Sequence, residues 1–314
     1  MADAKEVREF FDQIAHQWAE RAYDSKQEMA KFPSSKVRHH IAVDEIKKRH
    51  PGGAVLDMGC ASGELVLDLA GLGYEAEGFD ISPEMIRLAR ENFDRKANLP
   101  GRDSAAVFTV SDFAEYSADK QFDVITAMGF SEYLASDRPF FAKANQLLKS
   151  GGHLIVDFRN ELFNLFTGNA YTVEAAENQR TGELVRELAE ADRFSPVDLN
   201  QAGELILGYL KTAAAEADRI GKAGLEPRAA KYQLIATQLK LRQSTPATVE
   251  SQARESGLDL EYVVYYHCHP FAPRYEKFFP VLFNTMGMAM QPLGYTRLGA
   301  GMCSSFLAVL KKAD

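Results

Sequence analysis

Between residues 54 and 158 the sequence alternates short apolar runs with amphipathic stretches, and this rhythm constrains the fold more than any other feature. The runs AVLDM, EAEGFD, AVFTV, FDVITAM and GHLIVDF have strand length, whereas residues 63–70, PEMIRLARENF and residues 138–149 repeat at helical spacing. Buried strands joined through helices need right-handed crossovers, which implies a parallel sheet covered on both faces. The expected core spans residues 50–158. Ahead of it, Val7, Phe10, Phe11, Ile14, Ala15 and Trp18 predict a helix over 4–22. SSKVRHHIAVDEIKKR predicts a second over 34–49, with Ser34 or Ser35 as N-cap.

The rhythm stops after residue 158. VEAAENQRTGELVRELAEA, DLNQAGELILGYLKTAAAEADRI and AAKYQLIATQLKLR are all helical in period, which predicts a helical insertion. In TPATVESQARESG, Thr245 is the expected N-cap, Pro246 the first helical residue and Gly257 the stop. LEYVVYYHCH then reads as a strand, residues 270–300 as irregular, and SSFLAVLKK as a last strand returning antiparallel. The expected organisation is N-terminal helices forming a lid and cofactor edge (1–49), the core (50–158), an insertion serving as lid or substrate site (159–244), and completion of the core sheet (245–314).

The chain has 314 residues, of which 46% are hydrophobic, and a formal net charge of -8, which disfavours a protein built to grip nucleic-acid phosphates. Cys60, Cys268 and Cys303 lie far apart without a Cys-x-x-Cys pair, so neither a disulfide framework nor a zinc site is expected. The charged N-terminus and the lack of a long apolar run predict neither leader nor membrane span. A cytoplasmic protein with a small-molecule partner, no nucleic acid and no membrane partner is the expectation; nothing in the sequence specifies an oligomeric state.

VLDMGCASGEL, residues 55–65, places an acid and then small residues at the end of the first strand. Such a turn lets a ligand approach the backbone. The dinucleotide fingerprint needs glycine at its first, third and sixth positions, which here are Gly59, Ala61 and Glu64. Two of the three fail, and an acid beside a pyrophosphate is unfavourable.

The sequence instead resembles class I S-adenosylmethionine-dependent methyltransferases of the small-molecule type. Five motifs carry the likeness in order: DMGCASG (57–63), GFDIS with PEMIRLAR (78–90), VSDF (110–113), FDVITAMGFSEYL (122–134) and LLKSGGHLIVDF (147–158). The resemblance implies a Rossmann-like, mostly parallel seven-stranded sheet with helices on both faces, an antiparallel last strand and the helical insertion after strand 5. It implies S-adenosylmethionine as cofactor, with Asp57, Gly59, Cys60, Gly63 and Met128 around its amino-acid end. Asp80 is implied at the ribose hydroxyls, Ile81 and Met85 against the adenine, and Ser111, Asp112 and Phe113 at the adenine edge. Arg38 resembles the arginine that ubiquinone-pathway methyltransferases present to the methionine carboxylate, a fork of donors suited to that group. Ala61 departs from the glycine often found there and suggests a slightly different backbone approach.

Methyl transfer from a sulfonium is a direct displacement that needs alignment and, for a hydroxyl or amine acceptor, loss of a proton. His269 and His267, which share a strand face, and Asp157 are the candidate catalytic groups. Tyr23, Phe130, Tyr133, Arg159 and Asn160 are the candidate substrate contacts. Two histidines and one oppositely directed cysteine make an incomplete metal site, so no metal is expected. The acceptor is expected to be a small molecule methylated on oxygen or nitrogen, among them sugars and secondary metabolites. The competing readings are a non-catalytic adenosylmethionine-binding or assembly protein and an NAD-dependent oxidoreductase.

Overall fold

The structure is a computed structural model, described here for residues 3–21, 31–97, 105–197, 199–223 and 241–313. Seven strands form one sheet: β1 (Ala54–Met58), β2 (Glu75–Asp80), β3 (Ala106–Val110), β4 (Phe122–Ala127), β5 (Leu148–Arg159), β6 (Leu258–Cys268) and β7 (Cys303–Lys312). Their order is β3-β2-β1-β4-β5-β7-β6. β7 runs antiparallel to both neighbours, and the other pairings are parallel. The expected architecture is therefore present, and the strand order reverses between β1 and β4, where open sheets of this kind form a crevice.

Twelve helices accompany the sheet among the described residues: α1 (Ala4–Arg21), α2 (Ser34–Arg49), α3 (Glu64–Gly71), α4 (Pro83–Ala97), α5 (Arg138–Leu147), α6 (Phe163–Thr167), α7 (Ala170–Glu177), α8 (Thr181–Ala189), α9 (Leu199–Ala223), α10 (Pro246–Arg254), α11 (Pro280–Ala289) and α12 (Leu298–Met302). Alternate strand residues feed two cores. Leu56, Met58, Leu154, Val156, Phe306 and Ala308 pack with α5, α10 and Ala175, Leu184 and Phe194 of the insertion. Val55, Val124, Ile155 and Leu307 pack with α2, α3 and α4. Both faces of the sheet are thus covered, which is why its strands read as unbroken apolar runs.

The insertion is tied down at both ends. Asn160 and Ser244 form a parallel bridge, and the Ser244 N–H donates to the Arg159 carbonyl at 2.9 Å. Leu162, Ala175, Leu184, Ala191 and Phe194 of the insertion join the main core. Thr245 caps α10, its hydroxyl accepting from the Thr248 N–H at 3.2 Å, with Pro246 next, as expected.

Two local expectations are corrected, and a third lies almost wholly outside the described residues. The N-cap of α2 is Pro33, with no side-chain cap, because the helix already begins at Ser34. Residues 270–300 contain α11 and α12 together with single 3-10 turns, where an irregular segment was expected. Of AAKYQLIATQLKLR, only Leu241 and Arg242 lie within the described residues, and neither is helical. No helix among the described residues is long and apolar enough to cross a membrane.

Candidate cofactor and acceptor site

The crevice at the carboxyl ends of β1, β2 and β4 is a cavity of about 320 Å³. Gly59, Ala61, Asp80, Ile81, Ser111, Asp112, Phe113 and Met128 line it on the sheet side. α1 supplies Val7, Phe11 and Trp18 across the opening, and Phe130 and Tyr133 close the far wall. A smaller space of about 30 Å³ continues from it, lined by Arg38, Asp57, Cys60, Glu64 and again Gly59 and Met128.

The first turn is built from left-handed residues. Gly59 has φ of 73°, and a Cβ there would lie 2.7 Å from the Phe130 ring, so only glycine fits. Ala61 has φ of 46°. At this angle the alanine keeps a conformation that glycine adopts freely and carries the strain of a methyl group. Its N–H donates to Asp80 Oδ2 at 3.0 Å, while the Ser82 N–H donates to Oδ1 at 2.9 Å. Both carboxylate oxygens are thus held by backbone N–H groups, and each can accept more than one hydrogen bond, as a diol requires.

Asp57 is buried and accepts from the Thr126 hydroxyl at 2.7 Å. Burial pushes its carboxyl up to about 7, against that hydrogen bond and the nearby charges of His39 and Arg38. Asp80 is pushed up to about 6, again by burial, with the Ser82 and Ala61 N–H groups pulling the other way. Two acids held near neutrality at one strand edge fit a cationic, hydroxyl-bearing ligand. Asp112 lines the cavity and also accepts from the Ala114 N–H at 2.9 Å, so it combines the ligand-facing position with a turn cap.

Behind the cavity, Asp157 accepts from Tyr266 Oη at 2.6 Å, from Arg38 Nη1 at 3.2 Å and from the Gly129 N–H. This carboxylate, a candidate catalytic group by sequence, fixes Arg38 and the loop after β4 and lines neither the cavity nor the smaller space beside it. Glu132, raised by burial, pairs with Arg159 at 2.6 Å next to Tyr133.

Several expected site residues stand elsewhere. Met85 is buried under α1 with Ala15 and Leu88 and does not line the cavity. Gly63 begins α3, where a Cβ would meet the Phe108 ring at 2.7 Å; it serves close packing. Asn160 is no substrate contact: Nδ2 donates to the Ala300 and Cys303 carbonyls, and Oδ1 accepts from the Leu162 N–H. Neither histidine lines the cavity. His267 stacks on Phe32 and reaches the Ser304 hydroxyl at 2.9 Å, and His269 lies among Phe163, Phe283 and His267, too enclosed to act as a general base in the cavity. Tyr23 falls outside the described residues.

Val7 and Phe11, read from sequence only as part of an apolar helix face, line the cavity. Asp12 was not read as a site residue. It accepts from the Ser82 hydroxyl at 2.5 Å and so latches α1 onto the loop that carries Asp80.

Residues 49–197 match the sequence profile of a family described as a methyltransferase domain. The match covers a little under half of the chain. Curated relatives include a ubiquinone biosynthesis O-methyltransferase of Xanthomonas campestris, 31% identical over 111 residues, which are 35% of this chain and 44% of that one. A demethylmenaquinone methyltransferase of Tropheryma whipplei is 28% identical over 151 residues, 48% of this chain and 58% of that one. The matches thus span about half the length of these relatives. The fold extends further than the sequence likeness. Magnesium protoporphyrin IX methyltransferase from Synechocystis, crystallised with bound SAH, superposes with a TM-score of 0.52 at 14% identity, over 99% of this chain and 100% of that one. The methyltransferase domain ends inside the insertion, so α9 and the last two strands lie beyond it.

Proposed function

We propose that this chain is an S-adenosylmethionine-dependent methyltransferase that acts on oxygen or nitrogen of a small, flat acceptor. The observation that carries the reading is the convergence of the Gly59–Ala61 turn, Asp80 and Asp112 on one cavity whose opposite walls are aromatic. Asp80 would hold the ribose diol, and Asp112 the adenine edge. Arg38, which lines the smaller space, would meet the methionine carboxylate, and Asp57 and Glu64 would stand near the ammonium. When bound, the cofactor supplies an electrophilic methyl group on a sulfonium.

Phe11, Trp18, Phe130 and Tyr133 favour a planar apolar acceptor over a sugar, and their faces attract a neighbouring cation. The two curated relatives, named for quinone biosynthesis, point to the same acceptor class. Among the described residues no histidine or lysine lines the larger cavity, and an acceptor hydroxyl that ionises readily, as a phenol does, suits such a lining better than an alcohol. The acceptor lone pair would form the new bond to carbon as the carbon–sulfur pair returns to sulfur, and the acceptor proton would pass to solvent.

The test is incubation with methyl-labelled cofactor and parallel panels of hydroxylated benzenes, quinols and sugars. Label is expected in the ring compounds. Tight binding of S-adenosylhomocysteine without transfer to any acceptor would instead favour a cofactor-binding assembly protein.

A further inference from the structure

Directly after His269 the chain exposes FAPRYEKFF, residues 271–279, as a compact coil in which the Phe278 and Phe279 N–H groups both donate to the Tyr275 carbonyl. Phe271, Tyr275, Phe278 and Phe279 are between 40% and 51% exposed. Two cations are interleaved with them: Arg274 lies 5.2 Å from the Tyr275 ring and Lys277 lies 4.9 Å from the Phe278 ring. The one acid of the segment, Glu276, is half-buried beside Asn284 and Lys31. From Phe278 to Thr296 the chain has nineteen residues without a charge, and Met288 on α11 is also exposed. Phe166 stands at the rim, packed on Phe163, which in turn packs on His269. Clustered exposed aromatics of this kind mark an interaction surface.

We propose that residues 271–279 dock the protein on an anionic lipid surface. A second copy is a poor occupant. A two-fold interface would set Arg274 and Lys277 against themselves, and the segment has no well-exposed acid to pair with them. A lipid surface supplies both missing complements, acyl boundary for the rings and anionic head groups for the cations. The rest of a chain with a net charge of -8 is repelled by the same surface, so this face alone turns toward it. No helix among the described residues is long and apolar enough to span, so the proposed contact is with the membrane surface. This departs from the absence of a membrane partner expected from sequence, and it does not rest on methyl transfer.

Flotation with vesicles of phosphatidylcholine, with and without about a third phosphatidylglycerol, tests it. The parent protein is expected to float with the anionic vesicles and to be released by salt. Both Phe278→Ser/Phe279→Ser and Arg274→Glu/Lys277→Glu are expected to weaken partitioning by about tenfold or more. Unchanged melting temperature and S-adenosylhomocysteine affinity would certify each variant as folded, and the charge-reversal pair, wholly on the surface, serves if the aromatic pair misfolds. No flotation of the parent, or equal flotation of the charge-reversed variant, overturns the proposal. So does a dimer by light scattering that the aromatic pair converts to monomer without any effect on vesicles.

Discussion

The N–H of Ala61 donates to Asp80 Oδ2 at 3.0 Å, so the first turn and the acid at the end of β2 are a single unit. Removing the acid takes away both this latch and the proposed ribose acceptor. Two charge-assisted hydrogen bonds at about 1.5 kcal/mol each correspond to roughly a hundredfold loss of affinity. Asp80→Ala is therefore expected to lower S-adenosylhomocysteine affinity by about that factor in titration calorimetry. Unchanged affinity would remove β2 from the proposed site.

Ala61→Gly tests the turn without touching the acid. Alanine at φ of 46° pays the left-handed penalty, about 1 kcal/mol, which glycine escapes. Glycine gives back part of this through greater freedom in the unfolded chain. The variant is expected to be more stable by up to about 1 kcal/mol in urea unfolding, with cofactor affinity retained. Destabilisation would mean that the methyl group packs well enough to outweigh the strain.

Acidity should control cofactor binding. Asp57 and Asp80 are raised from an ordinary carboxylate value to about 7 and about 6. A raised folded value means that these groups stabilise the ligand-free protein most below pH 4 or so and lose that contribution as the pH rises through about 6 to 7. Binding has the opposite sign, because the ionised carboxylate is the form that accepts the hydroxyls and faces the ammonium. S-adenosylhomocysteine affinity is expected to fall as the pH is lowered from about 8 to about 5.5, and Asp80→Asn should flatten part of that slope. An affinity independent of pH over this range would contradict the assignment of both acids.

The strand and helix rhythm was legible because β1, β4 and the second half of β5 are largely buried, which leaves short runs dominated by apolar residues. α11 was not, because Phe283, Asn284, Thr285 and Gly287 are all buried and the helix offers no polar face to set a period. Asn160 was misjudged for a different reason: its carbonyl partners at Ala300 and Cys303 lie 140 and 143 residues away, and no local pattern reports such contacts. The acids at strand ends were readable because topology brings every carboxyl end of a parallel sheet to one edge. Both the N-terminal helices and the insertion were expected at that edge; residues of α1 line the cavity, and none from α6 to α9 does.

His269 separates a structural from a catalytic reading. It is 4% exposed, and neither ring nitrogen has a hydrogen-bond partner. Burial pushes the imidazole down to about 4, which keeps it neutral. A depressed folded value contributes stability above the ordinary histidine range and loses it as the pH falls from about 6.5 toward 4. His269→Leu removes two unsatisfied polar atoms, so it is expected to raise stability by about 1 kcal/mol or more and to flatten this acid limb, with methyl transfer retained. Loss of transfer in a folded variant would restore the histidine to the reaction.

The cavity wall depends on a charge pair that lies outside it. Arg242, at the return of the insertion, grips the buried Asp137 with both terminal nitrogens, Nη1 to Oδ2 at 2.6 Å, and also donates to the carbonyls of Ser131 at 3.0 Å and Leu134 at 3.1 Å. Those carbonyls belong to the loop that presents Phe130 and Tyr133 to the cavity. Breaking one side of a buried pair costs about 3 to 5 kcal/mol because the remaining charge is left without its partner. Arg242→Ala is expected to lose about that much stability. Asp137→Asn, which keeps an acceptor, should lose less. In both variants the KM for the acceptor should rise more than that for the cofactor, since the displaced loop forms the acceptor wall while Asp80 and Asp112 sit on the strands opposite. Equal effects on the two KM values would instead place this loop at the cofactor.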